Sequence, residues 1–346
     1  MNKSVDQWDR REFLGRMALA GAAGLVGLRR GRADADPPPE TTRLRLFESP
    51  FPSCVAPLYV AQELLYSEGF TDVRYVKWPS ETKAWPPEVL LSGQVDICLS
   101  FGPKDVLAIE AGAPLAVLAG SHIGCVELVG SDRVRSTREL KGKNVALYEG
   151  VGDDHVFISM FAAHVGLDPQ KDINWVLLPI PADSWEAARL LAAGKIDAFF
   201  VGPPDALEMR AKKIGHVLVN TTTDKPWSQY FCCLVASTKE FVLKHPVAAK
   251  RALRAILKSA NVCALKPERI VRSMVERGRT SRYDYALQGL KEIPYGKWRE
   301  YDPEDSVRFY ALRLRDVGLI KSSPQKIIAE GTDWRFLNEL KKELKG

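Results

Sequence analysis

Short apolar runs alternate with amphipathic stretches along most of this 346-residue chain. Residues 44–48, 73–78, 145–149 and 175–178 are brief, apolar and rich in aromatic or branched side chains, which predicts strands. Between them, 57–67 and 184–193 carry apolar residues at helical spacing and are followed by glycine, which predicts helices with left-handed stops. Strands alternating with helices give an α/β fold with parallel sheets. From His245-Pro246 the pattern turns helical: Leu253, Ile256, Ala260 and Cys263 share one face behind a proline in the first turn. Further helices are expected over 303–317, capped by Asp302 and stopped by Gly318, and over 333–344.

The pattern also repeats. Leu44-Arg-Leu-Phe-Glu48 aligns with Val145-Ala-Leu-Tyr-Glu149, and Leu90-Leu-Ser-Gly93-Gln-Val-Asp96 with Leu191-Ala-Ala-Gly194-Lys-Ile-Asp197, both at an offset of 101. Gly102-Pro103-Lys-Asp105 aligns with Gly202-Pro203-Pro-Asp205 at an offset of 100. That period is too long for a solenoid and describes a duplicated βαβαβ unit. Two apolar segments, 126–129 and 233–236, flank the second unit and are the expected crossovers. The predicted division is therefore one lobe from 41–127 with 234–346, and a second lobe, 128–233, inserted into it. In open α/β sheets ligands bind beyond the carboxyl ends of the strands, near helix N-termini. Two such units supply facing ligand surfaces around a cleft that a hinge can close.

The first 35 residues stand apart. Arg10-Arg11-Glu12-Phe13-Leu14 precedes a 12-residue apolar run ending at Leu28, followed by Arg29-Arg30 and Ala33-Asp34-Ala35. The run is too short to span a bilayer and resembles a twin-arginine export signal with a small-x-small cleavage site. The whole chain carries 49 Lys+Arg against 43 Asp+Glu, a net charge of +6. The first 35 residues hold seven of those bases and four of the acids, so cleavage leaves +3. Without a concentrated basic stripe, and with export expected, nucleic acid is excluded as a partner. No other apolar run reaches about 18 residues, so a mature periplasmic protein is expected.

Ala56-Pro-Leu-Tyr-Val-Ala-Gln-Glu63, Leu91-Ser-Gly-Gln-Val-Asp96, Glu110-Ala-Gly-Ala-Pro114, Leu140-Lys-Gly-Lys143 and Ala163-His-Val-Gly-Leu167 resemble the nitrate/sulfonate/bicarbonate and thiamine-precursor group of periplasmic solute-binding proteins. The resemblance covers most of 43–265. It implies a type II periplasmic binding fold with a helical C-terminal extension. It also implies a monomeric receptor that captures a small solute and delivers it to the permease subunits of an ABC importer, without catalysis or cofactor.

Strand ends supply the candidate ligand site: Ser49, Phe51, Trp78, Ser80, Ser100, Phe101 and Gly102 in the first unit, and Glu149, Gly152, Asp153, Phe200 and Gly202 in the second. Glu127 and Tyr230 join them from the crossovers. Trp78, Phe101 and Phe200 have two readings, an aromatic clamp on a ligand or ordinary core. Glu149 and Asp153 likewise either stabilise a helix start through its dipole or face the cleft. In the second case they repel anions and favour a neutral or cationic solute. The stretch 283–301, rich in tyrosine and tryptophan, either covers the cleft or fills a helical core.

Of the six cysteines, Cys98 in an apolar strand and Cys263 on the buried face of a helix point to burial. Cys232 and Cys233, adjacent in a strand, should face opposite sides, and His122 with Cys125 lacks the second pair that a zinc site needs. No metal is expected. Two alternatives share the scaffold: a pyrimidine-synthase-like enzyme using His122 and the Cys232-Cys233 segment, and a periplasmic sensor subunit.

Overall fold

A computed structural model describes residues 37–49, 52–77, 86–148, 152–178 and 183–344. The export signal expected over 1–35 lies outside them. None of the described helices is long and apolar enough to cross a membrane.

The strands form two five-stranded sheets. The first contains β1 (Arg43–Glu48), β2 (Asp72–Lys77), β3 (Ile97–Phe101), β4 (Leu115–Ile123) and β10 (Phe231–Thr238), in the order β2-β1-β3-β10-β4. The second contains β5 (Glu127–Gly130), β6 (Asn144–Leu147), β7 (Asn174–Leu177), β8 (Ala198–Val201) and β9 (His216–Asn220), in the order β7-β6-β8-β5-β9. In each sheet the first three positions are parallel, whereas the fourth runs antiparallel to both of its neighbours. The sheets are thus mixed rather than wholly parallel. The antiparallel member is in each case the strand that has just arrived from the other sheet, β5 or β10, which enters against the direction of the βαβ units.

The repeated Gly-x-x-Asp element has a structural cause. α2 (Pro86–Leu91) and α5 (Ser184–Ala192) are followed by Gly93 and Gly194, both at φ +70°, where a side chain would be strained. Asp96 then accepts the backbone N–H of Arg45 at 2.7 Å and pairs with its guanidinium at 2.6 Å. Asp197 does the same for its own sheet, taking the Asn144 N–H at 3.0 Å and Arg133 at 2.7 Å. Each aspartate pins the incoming third strand to the first, so this part of the duplication belongs to folding, not to ligand chemistry.

The remaining helices are α1 (Ala56–Ser67), α3 (Gly102–Glu110), α4 (Asp153–His164), α6 (Asp205–Ala211), α7 (Lys239–Lys244), α8 (Pro246–Leu265), α9 (Pro267–Glu276), α10 (Tyr283–Glu292), α11 (Pro303–Asp316), α12 (Pro324–Gly331) and α13 (Arg335–Glu343). Leu253, Ile256, Ala260 and Cys263 form the buried face of α8, which packs on α1. Its N-terminal N–H groups are held by a distant residue: Glu40 accepts from Val247 and Ala248 at 3.0 and 2.9 Å. Asp302 caps α11 through the Glu304 N–H.

Strand alternation sorts the second sheet into two faces. Leu128, Val145 and Phe200 join the large core that also contains the first sheet, while Val129, Ala146 and Phe199 pack under α5 and α6. α4 carries the shared core across, touching α3 on one side and α11 on another.

Candidate functional site

At the end of β3 the chain turns directly into α3. Ser100 Oγ lies 2.6 Å from both carboxyl oxygens of Asp105, inside the first turn. Complete burial pushes the Asp105 carboxyl up to about 8, with Ser100 opposing the shift. Gly102 is required by close approach, since a Cβ there would meet the Tyr310 ring of α11 at 2.8 Å. In the second sheet Gly152 precedes α4, and Asp153 and Asp154 occupy its first turn. Asp154 accepts the Tyr148 N–H at 2.6 Å, and the Tyr148 hydroxyl donates to the Phe200 carbonyl at 2.8 Å. These bonds tie the α4 N-terminus to the end of β8.

Phe157 of α4 fills the space between the two strand ends. Its ring lies 5.7 Å from Phe101, 5.5 Å from Phe200 and 6.4 Å from Tyr310, distances that suit aromatic pairing. Phe101 and Phe200 are both buried. In this form of the molecule they grip an aromatic side chain of the chain itself. Tyr230 stacks on Phe309 at 3.8 Å. The Ser49 carbonyl accepts from the Tyr59 hydroxyl at 3.1 Å. Gly202 follows β8 and leads into the turn before α6. Phe51, Trp78, Ser80 and Glu149 lie outside the described residues.

The polar wall sits where α10 meets the second sheet. A small pocket of about 20 Å³ is lined by Glu127, Pro203, Leu207, Thr222, Gly289 and Glu292, among others. Burial lifts the Glu127 carboxyl to about 7, with Arg210 opposing the shift and Glu292 and Asp224 adding to it. Arg210 lies 3.4 Å from Glu127 and also pairs with Glu292 of α10, while Asn220 donates to Glu127 at 3.0 Å. Arg282 reaches from the start of α10 to Asp205 and Glu208 of α6. Arg279 pairs with Glu48 at the end of β1 and covers the Tyr59 and Tyr75 rings at 4.7 and 5.3 Å. Residues 279–293 therefore touch the strand ends of both sheets. Within the aromatic-rich stretch, α10 packs against α6, while Tyr295 and Trp298 are fully buried in the core.

Sequence spacing missed Phe157, Arg210, Arg279, Arg282 and Tyr310. Each is an ordinary helix or turn residue in its own neighbourhood. Only the packing of α4, α6, α10 and α11 against the strand ends brings them together.

The cysteines correct another expectation. Strand geometry alone predicts opposite faces for Cys232 and Cys233, but β10 pairs irregularly with β4 on both sides of Cys233. Such irregularities re-aim side chains. Cys232 Sγ lies 3.4 Å from Cys125 Sγ, and ligand atoms of His122, Cys125 and Cys233 all fall within 4.8 Å of one another. His122 and Cys125 thus do have a second pair of cysteines beside them.

No curated protein matches the chain at the level of sequence. Among solved structures, the periplasmic nitrate-binding protein NrtA from Synechocystis PCC 6803 superposes with a TM-score of 0.72 at 17% identity, covering 89% of this chain and 90% of that one. The alkanesulfonate-binding protein SsuA from Xanthomonas axonopodis pv. citri, bound to MOPS, gives 0.64 at 16% identity over 87% and 99%. The periplasmic aliphatic sulphonate binding protein SsuA from Escherichia coli gives 0.64 at 16% identity over 84% and 92%. At such identities the likeness establishes the fold, which is that of the periplasmic binding proteins. The family model for the NMT1-like family matches residues 38–275, well over half of the sequence, and the chain belongs to that family.

Proposed function

We propose that this protein is an exported solute-binding receptor that captures a small molecule between its two sheets and hands it to the permease of an ABC importer. The observation that carries this is the convergence of both sets of strand ends, with the segment 279–292 bridging them: Arg279 pairs with Glu48 on one side, and Arg282 and Glu292 pair with Asp205 and Arg210 on the other. The lobes are 41–127 with 234–346, and 128–233, hinged at the two crossovers. The chain acts as a monomer and by binding, without a catalytic step, and leaves the cytoplasm through the twin-arginine segment. The structural neighbours named for nitrate and sulfonate binding support a receptor of this kind.

The charge at the mouth points away from those anions. Arg210, Arg279 and Arg282 reach the strand ends and are each already met by a carboxylate. A nitrate or sulfonate would have to displace Glu127, Glu48 or Asp205 to reach a guanidinium. These pairs leave the site close to neutral, which suits a neutral solute, and a cation is accommodated where one of the carboxylates turns from its arginine to the solute. A thermal-shift screen of residues 36–346 against amines, amides, pyrimidines, nitrate and sulfonates tests this. A ligand at 100 times its dissociation constant stabilises by about 2.7 kcal/mol. A response to amines or neutral compounds supports the proposal, and a response confined to anions refutes the charge argument.

A further inference from the structure

We propose that His122, Cys125, Cys233 and their neighbouring thiols form a binding site for one thiophilic closed-shell metal ion, zinc(II) or copper(I). Three separate segments build the cluster. Cys54 comes from the turn before α1, His122 and Cys125 from the end of β4 and the connection to β5, and Cys232 and Cys233 from the irregular start of β10. All five side chains are buried, and the four thiols are free.

The spacing suits a metal. A tetrahedral ion with sulfur ligands at about 2.3 Å sets its ligands about 3.8 Å apart. The Cys125–Cys232 sulfurs lie at 3.4 Å, and the His122, Cys125 and Cys233 ligand atoms fall within 4.8 Å. Small rotamer adjustments therefore close the shell. Sulfur-dominated ligation selects soft or borderline ions over magnesium or calcium. Each coordinating thiol releases its proton to solvent on binding, so no oxidant or reductant is needed.

The surroundings are those of a built site. The His122 ring nitrogens lie 3.0 Å from the Cys54 carbonyl and 3.2 Å from that of Ile123, so taking up an ion turns one nitrogen off its carbonyl and releases any proton it carries, while the other keeps its carbonyl acceptor. Tyr295 packs edge-on against the imidazole at 5.2 Å and its hydroxyl donates to the Ser53 carbonyl, which steadies the Cys54 segment. Cys125 has φ +115°, an unfavourable value for a residue with a side chain, directly after Gly124 at +63°. Backbone strain on one cysteine and an irregular strand under two others both serve to aim sulfur at one point. Because Cys125 lies in one connection between the sheets and Cys232-Cys233 directly follow the other, the ion would fasten the hinge.

The test uses residues 36–346, purified with reductant and chelator under anaerobic conditions. Zinc(II) and copper(I) are titrated separately against a chromophoric competitor, and cobalt(II) is added as a spectroscopic probe. One equivalent of either ion, with a tetrahedral cobalt spectrum bearing thiolate charge-transfer bands, is the expected result, and the tighter ion identifies the metal. Loss of even an outer partner costs about 10–100-fold in affinity, so Cys125→Ser and Cys233→Ser should each lose at least about 100-fold, while Cys263→Ala binds normally. The cobalt spectrum of the unaltered protein counts sulfur ligands even where a variant fails to fold. Less than a tenth of an equivalent of every ion, a cobalt spectrum without thiolate bands, or a Cys125–Cys232 disulfide in protein isolated from its host overturns the proposal.

Discussion

Truncating Phe157 to alanine should remove the side chain that joins the two sheets. The ring is 1% exposed and meets Phe101, Phe200, Phe161 and Tyr310 at centroid distances between 5.5 and 6.4 Å. Losing a fully buried phenyl costs about 3–5 kcal/mol, since aromatic pairing at about 0.5–1.5 kcal/mol per contact is lost along with the transfer energy. For a mature chain of this size that corresponds to a melting temperature lower by about 5–8 °C. The gap left behind is lined by Phe101, Phe200 and Tyr310 and should stay dry, so benzene added to Phe157→Ala should restore part of the loss. Unaltered protein should not respond. A loss below about 1 kcal/mol, or no response to benzene, would show that the ring is not enclosed by both sheets and would refute this account of the interlobe contact.

Three further outcomes follow from individual residues. The buried Asp105 carboxyl stands at about 8 against an ordinary 3.8, so its stabilising protonated form is complete below about pH 4 and is lost as pH rises through 8. Melting curves of Asp105→Asn should therefore gain on the unaltered protein steadily between about pH 4 and 8 and level off above that, and a difference independent of pH would contradict the assignment. Arg282 is about one-third exposed and pairs with Asp205 and Glu208. Arg282→Met should change unliganded stability by less than about 1 kcal/mol yet weaken capture of the solute several-fold, measured by calorimetric titration; unchanged affinity would remove α10 from the closing mechanism. Replacing Arg10-Arg11 by Lys-Lys should hold the precursor in the cytoplasm, and cell fractionation that still finds mature protein in the periplasm would exclude the twin-arginine route.

What the sequence discloses and what it hides divide along a physical line. Strand and helix periodicity is local, so β1, β6, α8 and α11 are legible from side-chain order alone, and the 101-residue repeat exposes the duplicated sheet. Strand direction is not local: nothing in residues 127–130 or 231–238 declares that they run antiparallel in the sheet they enter. The candidate site behaves in the same way. Ser100, Gly102, Asp153 and Phe200 can be placed at strand ends and helix starts because βαβ topology fixes where strands end. Phe157 looks like any other apolar residue of a helix that is buried nearly all round, and Arg279 and Arg282 lie in a turn whose partners are more than 70 residues away. The cysteine cluster was hidden by the rule that successive strand residues face opposite sides, which fails where β10 pairs irregularly.

In the proposed function a single small solute, neutral or cationic, is held between the two sheets. Native mass spectrometry of the mature chain isolated from its host's periplasm measures this most directly, because a bound solute adds its own mass and leaves on denaturation. The account predicts one noncovalent solute per chain, with a neutral or positive formula and at stoichiometric occupancy, exchangeable by dialysis after partial unfolding. A chain that emerges and refolds without any solute while exposed to periplasmic extract, or one that carries nitrate or a sulfonate, would contradict it.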